Sequence, residues 1–212
     1  MRIRWGLAPV IALLMIAQPM EAQWFSIGLR GSGSVPTGAF ADNAVSSTVA
    51  TINGARSGFG YGLDLGLGIG MVGLYGGFDH IKFDCQILAC AAEGKYTLSG
   101  VSAGLKLAPF RRSLLSPFIK GGVTFNELQG GYGGTEPHTL TSNRAPGYEV
   151  GTGIDVSVLG LLTLTPQVRY VGQQLKVRIP GVTAPPADGQ GVNYLSFDLG
   201  LTVHTPFGSL RR

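Results

Sequence analysis

Charge is scarce in this chain. Charged residues are 13% of the 212, where an ordinary soluble domain carries about 25%. A soluble sheet protein wears Lys and Glu on its outer face, and this chain has too few for that role. Long apolar runs are missing as well. Beyond the N-terminal segment, glycine, proline or charge breaks up every stretch well short of the ~20 apolar residues of a spanning helix. An α-helical membrane protein is thereby excluded. The formal net charge of +4 does not mark an acidic partner. Arg2 and Arg4 sit in the N-terminal segment, and Arg111, Arg112, Arg211 and Arg212 in a turn and the tail. No basic stripe with interleaved aromatics exists, so nucleic acid is not an expected partner.

What is present begins with a leader. The basic head Met1-Arg2-Ile3-Arg4, an apolar stretch from Leu7 to Ala17 and the small residue Ala22 have the form of a secretory signal peptide. The expected division is a cleavable signal over 1–22 and a single domain over 23–212. An uncleaved anchor helix is the alternative, and the run is too short for it.

Glycine, at 34 residues, is more than double its usual ~7%, and its placement is informative. Over 58–69 the odd positions are Phe59, Tyr61, Leu63, Leu65, Leu67 and Ile69; the even ones are glycine and Asp64. Strand side chains point alternately to opposite faces, so one face here is wholly apolar and the other small or charged. The same parity marks eight segments: about 24–34, 58–69, 71–83, 95–108, 117–127, 147–158, 161–177 and 192–205. The third loses phase near His80-Ile81, where a bulge or the end of a membrane zone is expected. Connections after the second, fourth and sixth segments are short. Those after the first, third, fifth and seventh are longer and polar, roughly 35–56, 84–94, 128–144 and 179–190.

Such sorting is the pattern of an all-β, eight-stranded antiparallel up-and-down transmembrane barrel with short periplasmic turns and longer extracellular loops. With the apolar parity facing lipid, the interior receives Arg30, Lys106, Lys120 and Arg169 together with Asp64, Asp79, Glu149, Asp155 and Asp198. Nearly balanced charge can pair across a narrow lumen, which offsets the cost of burying either sign alone. The reverse orientation, with the apolar face lining a ligand cavity as in a lipocalin-like barrel, is the alternative that the low charge content disfavours.

At this point the chain resembles the small eight-stranded outer-membrane β-barrels of the OmpA/OmpX-like kind, over Trp24 to Phe207. The resemblance rests on the leader, the Gly31–Phe40 stretch leaving the first strand, and the last strand. It implies that Phe197, Leu199, Leu201, Val203 and Phe207 form a C-terminal signal for the barrel-assembly machinery. Residues 208–212 run on past Phe207, a departure from the family pattern.

Few constellations suggest chemistry. Cys85 and Cys90, the two cysteines, are read as a disulfide of an oxidising compartment. Free thiols are an alternative, as is a metal site with His80, Asp79 and Asp84. Gly68–Gly73 spells the dinucleotide fingerprint, but strand rather than helix follows, so a glycine-rich hairpin is expected. Some outer-membrane barrels hydrolyse lipids, and lipid A deacylases carry His-x-Ser on one strand; His80, His138 and His204 are not in that pattern.

The expectation is therefore a non-enzymatic outer-membrane barrel, without cofactor or metal, acting in envelope integrity or surface interaction through its loops. A narrow porin-like conduit for small or hydrophobic solutes is the alternative, and a ligand-carrying or enzymatic barrel comes third. The expected partners are outer-membrane lipid, lipopolysaccharide, the assembly machinery and an unspecified surface ligand.

Overall fold

The alternation becomes a ring of long antiparallel strands. The computed structural model describes residues 23–41, 54–85, 94–110, 114–132, 138–159, 161–178 and 187–206. Residues 1–22, expected to be a signal peptide, together with Cys90, Phe207 and the tail, lie outside them. The elements are β1 (Gln23–Thr37), β2 (Ala55–Ile69), β3 (Val72–Cys85), β4 (Lys95–Leu107), β5 (Leu115–Tyr132), β6 (His138–Ser142), β7 (Ala145–Leu159), β8 (Leu162–Arg178) and β9 (Ala187–Pro206). A 3-10 turn, Gly38–Phe40, follows β1.

Successive long strands pair antiparallel, and β1 closes the ring on β9 from Trp24↔Pro206 to Thr37↔Asn193. Closure leaves no sheet edge and lets every strand satisfy its backbone within the wall, as hydrocarbon requires. The β2–β3 turn is Gly70-Met71, and Gly70 has φ 59°, the left-handed region where a side chain is strained.

Three sequence expectations change. The segment 128–144 is not one loop: β5 continues to Tyr132 and pairs with β6. Glycine and threonine dominate there and leave no apolar parity to read. β6 lies between β5 and β8, in the slot that β7 fills lower down. Asn126 pairs with Ala145 but Gln129 with Thr141, so the Asn143-Arg144 junction holds one extra residue, a bulge in a single stave. Asn143 fastens it: its N–H donates to the Lys176 carbonyl (3.1 Å) and its Oδ1 accepts from the Lys176 N–H (2.9 Å). The wall therefore has eight staves.

In β3 the register against β2 and β4 runs unbroken through His80-Ile81. No bulge lies there; the β2–β3 bulge is higher, between Ala55 and Gly58. Of the two expectations for this place, the end of the membrane zone is the one that remains: at Ile81 the inward residues turn from charged to apolar while the pleat continues. In β7 the parity breaks near its end, where the register shifts between Ser157 and Leu159. The β7–β8 ladder is also open opposite Thr165-Pro166, where proline has no N–H to give.

Candidate functional site: a filled lumen beneath a collar

The wall has two zones of opposite polarity. In the lower zone the apolar parity points outward: Leu29, Leu63, Leu65, Leu105, Ile119, Val150 and Leu199 are among the exposed large hydrophobics. Phe197, Leu201 and Val203 of β9 stand on the same outer face. A belt of this extent has no place in water and matches the outward apolar band of a transmembrane barrel.

Inside that belt the charges meet. Arg169 on β8, 1% exposed, donates from Nε to Asp198 (2.5 Å), from Nη2 to Asp79 (3.0 Å) and from Nη1 to Glu149 (3.1 Å). Asp79 is shared, accepting also from Arg30 (2.6 Å), and Arg30 bonds Asp64 as well. Tyr75 donates to Glu149 (2.5 Å), and Ser196 to Asp198 (2.7 Å). Strands on opposite sides of the ring are thus tied through the lumen. Arginine suits this place, since its planar fork satisfies several carboxylates at once.

Lower still, Lys106 bonds Asp155 (2.7 Å), which also accepts from Thr165 (3.0 Å). Lys106 Nζ also lies 3.8 Å from the Phe118 ring centre. Lys120 is buried and makes no ion pair with a described residue; its ammonium lies 4.9 Å from the Tyr75 ring centre. All nine charges singled out in the sequence face the lumen: eight are ion-paired in two groups, and Lys120 lies beside them. A cavity of about 50 Å³ touches Asp64, Tyr75, Lys106 and Lys120, which is room for a few waters. At the periplasmic mouth the Trp24 indole lies over glycines: a Cβ on Gly66 or Gly73 would come within 2.8 or 2.6 Å of it. His204 meets the indole edge-on at 5.9 Å.

The upper zone inverts this arrangement, and the sequence reading missed it. Here the lumen holds Ile81, Phe83, Tyr96, Leu98, Leu128, Val171, Leu175, Val192 and Tyr194. Phe40, delivered by the 3-10 turn, is fully buried among them, 5.2 Å from Phe83 and 5.8 Å from Tyr96 between ring centres. The outer face carries Arg56, Lys82, Asp84, Lys95, Glu127 and Lys176. This collar is built like a soluble sheet protein, apolar within and polar without. The signal was present: Ile81-x-Phe83, Tyr96-x-Leu98 and Val192-x-Tyr194 continue the inward parity with apolar residues.

Cys85 ends β3, half-buried against this core. On the outer face His80 Nδ1 lies 2.8 Å from Ser99 Oγ, across two strands, and the imidazole stacks on Tyr61 at 5.1 Å. Among the described residues no group of three or more His, Cys, Asp or Glu is placed to hold a metal.

A closed wall of eight staves, apolar outside and ion-paired within, defines an eight-stranded transmembrane barrel of the outer-membrane kind, and such an exterior belongs in the outer membrane. No family model and no curated protein matches the sequence. Solved structures do match in fold. The outer membrane protein OprG from Pseudomonas aeruginosa is 14% identical, with 88% of this chain and 97% of that one covered and a TM-score of 0.57. Neisserial surface protein A matches at 14% identity, with the same 88% and 97% covered and a TM-score of 0.54. Ail, the attachment invasion locus protein of Yersinia pestis, is 14% identical over 88% of this chain and 100% of its own, with a TM-score of 0.50.

Proposed function

We propose that the mature chain is a non-conducting, non-enzymatic barrel that serves envelope integrity or surface interaction, displaying its loops on the rigid collar. The filled lumen carries this reading. An ionic layer around Arg169 is followed by an apolar core around Phe40, and eight strands leave room for side chains rather than a channel. A surface role also accords with the name of the Ail barrel, attachment invasion locus protein. In this proposal residues 1–22 are removed on export, Cys85 and Cys90 pair to staple the second long loop, and the assembly machinery reads the last strand. The chain needs no cofactor, and the His80–Ser99 pair serves packing rather than catalysis.

Single-channel recording of the refolded mature protein in a planar bilayer tests the proposal, with heat-modifiable gel mobility reporting the fold. Electrical silence of a folded barrel is the expected outcome. Discrete steps that change in Arg169→Ala would favour the narrow conduit instead. Fatty-acid release from lipid A or phospholipid that stops in His80→Ala would overturn the non-enzymatic part.

A further inference from the structure

The border between lipid belt and collar can be followed strand by strand. Across β2, β3, β4 and β5, the row Leu63–Phe78–Val101–Phe125 is wholly apolar and faces outward. The next row up, Tyr61–His80–Ser99–Glu127, is polar from β3 onward. Above it come Lys82, paired in register with Phe59 and Thr97, and then Lys95 beside Asp84. At the bulge, Arg56 and Ser57 together oppose Asp84, which turns both outward.

Arg56, Lys82 and Lys95 are thus three exposed cations on adjacent strands just above hydrocarbon, and none forms an ion pair with a described residue. Asp84 stands among them without an ion pair to a described residue, whereas on the neighbouring side of the collar, beyond β4, Arg144 meets Glu127 at 3.8 Å, so positive charge there is partly answered. Below the cations the belt has a dent. Gly76 and Ala103 are register partners on the outer face, and a Cβ on Gly76 would find its nearest neighbour at 3.8 Å. Leu74, Phe78 and Leu105 frame it. From Gly76 to Lys82 is about 20 Å along a strand. At a tilt of about 45° that is roughly 14 Å of depth, close to one leaflet of a ~30 Å core.

We infer that the outer face of β2–β4 is a docking site for a phosphorylated glycolipid of the outer leaflet, of the lipid A type. Its phosphates meet Arg56, Lys82 and Lys95 while an acyl chain lies over Gly76–Ala103. Charge complementarity selects the headgroup, because guanidinium and ammonium are the side chains that answer phosphate oxygens. The dent beneath gives an acyl chain room to lie, which suits a phosphate carried on an acylated molecule over a free ion. The inference rests on the placement of the barrel in the outer membrane and is independent of whether the lumen conducts.

The test uses the mature chain folded into phosphatidylcholine nanodiscs, with diphosphoryl lipid A as the probe and heat-modifiable mobility as the check on folding. Native mass spectrometry counts retained lipid A. Retention above the phosphatidylcholine background is expected. The triple variant Arg56→Gln/Lys82→Gln/Lys95→Gln should weaken it roughly ten- to a hundredfold at low salt, the scale of three surface cations. Arg144→Gln/Lys176→Gln should leave it within about twofold, since those charges lie elsewhere on the collar. Ala103→Phe, which fills the dent and keeps the cations, should weaken it too, and inorganic phosphate should not compete. A folded wild type that retains no lipid A overturns the site. Equal losses in the two charge variants would mean diffuse attraction and overturn it as well. Displacement by inorganic phosphate, with Ala103→Phe unaffected, would replace the lipid by a free anion.

Discussion

The two zones of the wall use the same staves with opposite polarity. On β3, Phe78 faces lipid and Asp79 the lumen; a few residues on, Lys82 faces out and Phe83 in. The backbone register does not change between them. In hydrocarbon the outer face must be apolar, so polar groups are left to satisfy one another inside. In water the outer face is polar, and the apolar groups are buried. The difference teaches that inward parity is fixed by the pleat, whereas inward chemistry is set by the solvent at that height.

Breaking the ionic layer should have the largest effect. Arg169→Leu leaves Asp79, Glu149 and Asp198 without their shared cation, and removing one partner of a buried ion network costs about 3–5 kcal/mol. Urea-dependent refolding into vesicles measures this. A loss under ~1 kcal/mol would mean that water or the remaining arginine takes over the charge. In the collar, Leu98→Ala opens a hole in a packed core, which costs about 2–5 kcal/mol. The same refolding curve should register it, with the wall still closing in the membrane zone. The smallest effect is expected at Glu127→Gln, which removes a half-exposed pair with Arg144 and should shift stability by less than about 0.5 kcal/mol. A larger value would mean that the collar surface depends on its charges as the lumen does.

Sequence periodicity revealed the lower zone because lipid and lumen differ sharply along a strand. Leu63, Asp64 and Leu65 could be assigned faces on sight, and Asp64 meets Arg30 in the lumen. It was less informative in the collar, where apolar residues belong inside and the outer face is mixed. At His80-Ile81 the rule for reading a face reverses while the pleat continues, and the reversal resembles a lost register. The β6 segment was hidden for another reason. Gln129-Gly130-Gly131 and Thr139-Leu140-Thr141 pair through their backbones, and backbone pairing leaves no mark on side-chain type.

The partners of each charge were beyond the sequence altogether. Alternation places Arg169 and Asp79 on the inner face, but they lie 90 residues apart, and only closure of the ring brings them within bonding distance. The same holds for Phe40, which belongs to no strand and is carried by a short turn into a core contributed by β2, β3, β4, β5, β7, β8 and β9. The sequence by itself determined a wall of eight staves with lipid outside, because side-chain alternation and strand length are local properties of the chain. The tertiary structure decided which charges pair, where the wall leaves the membrane and what fills its upper end, because those depend on residues brought together only when β1 meets β9.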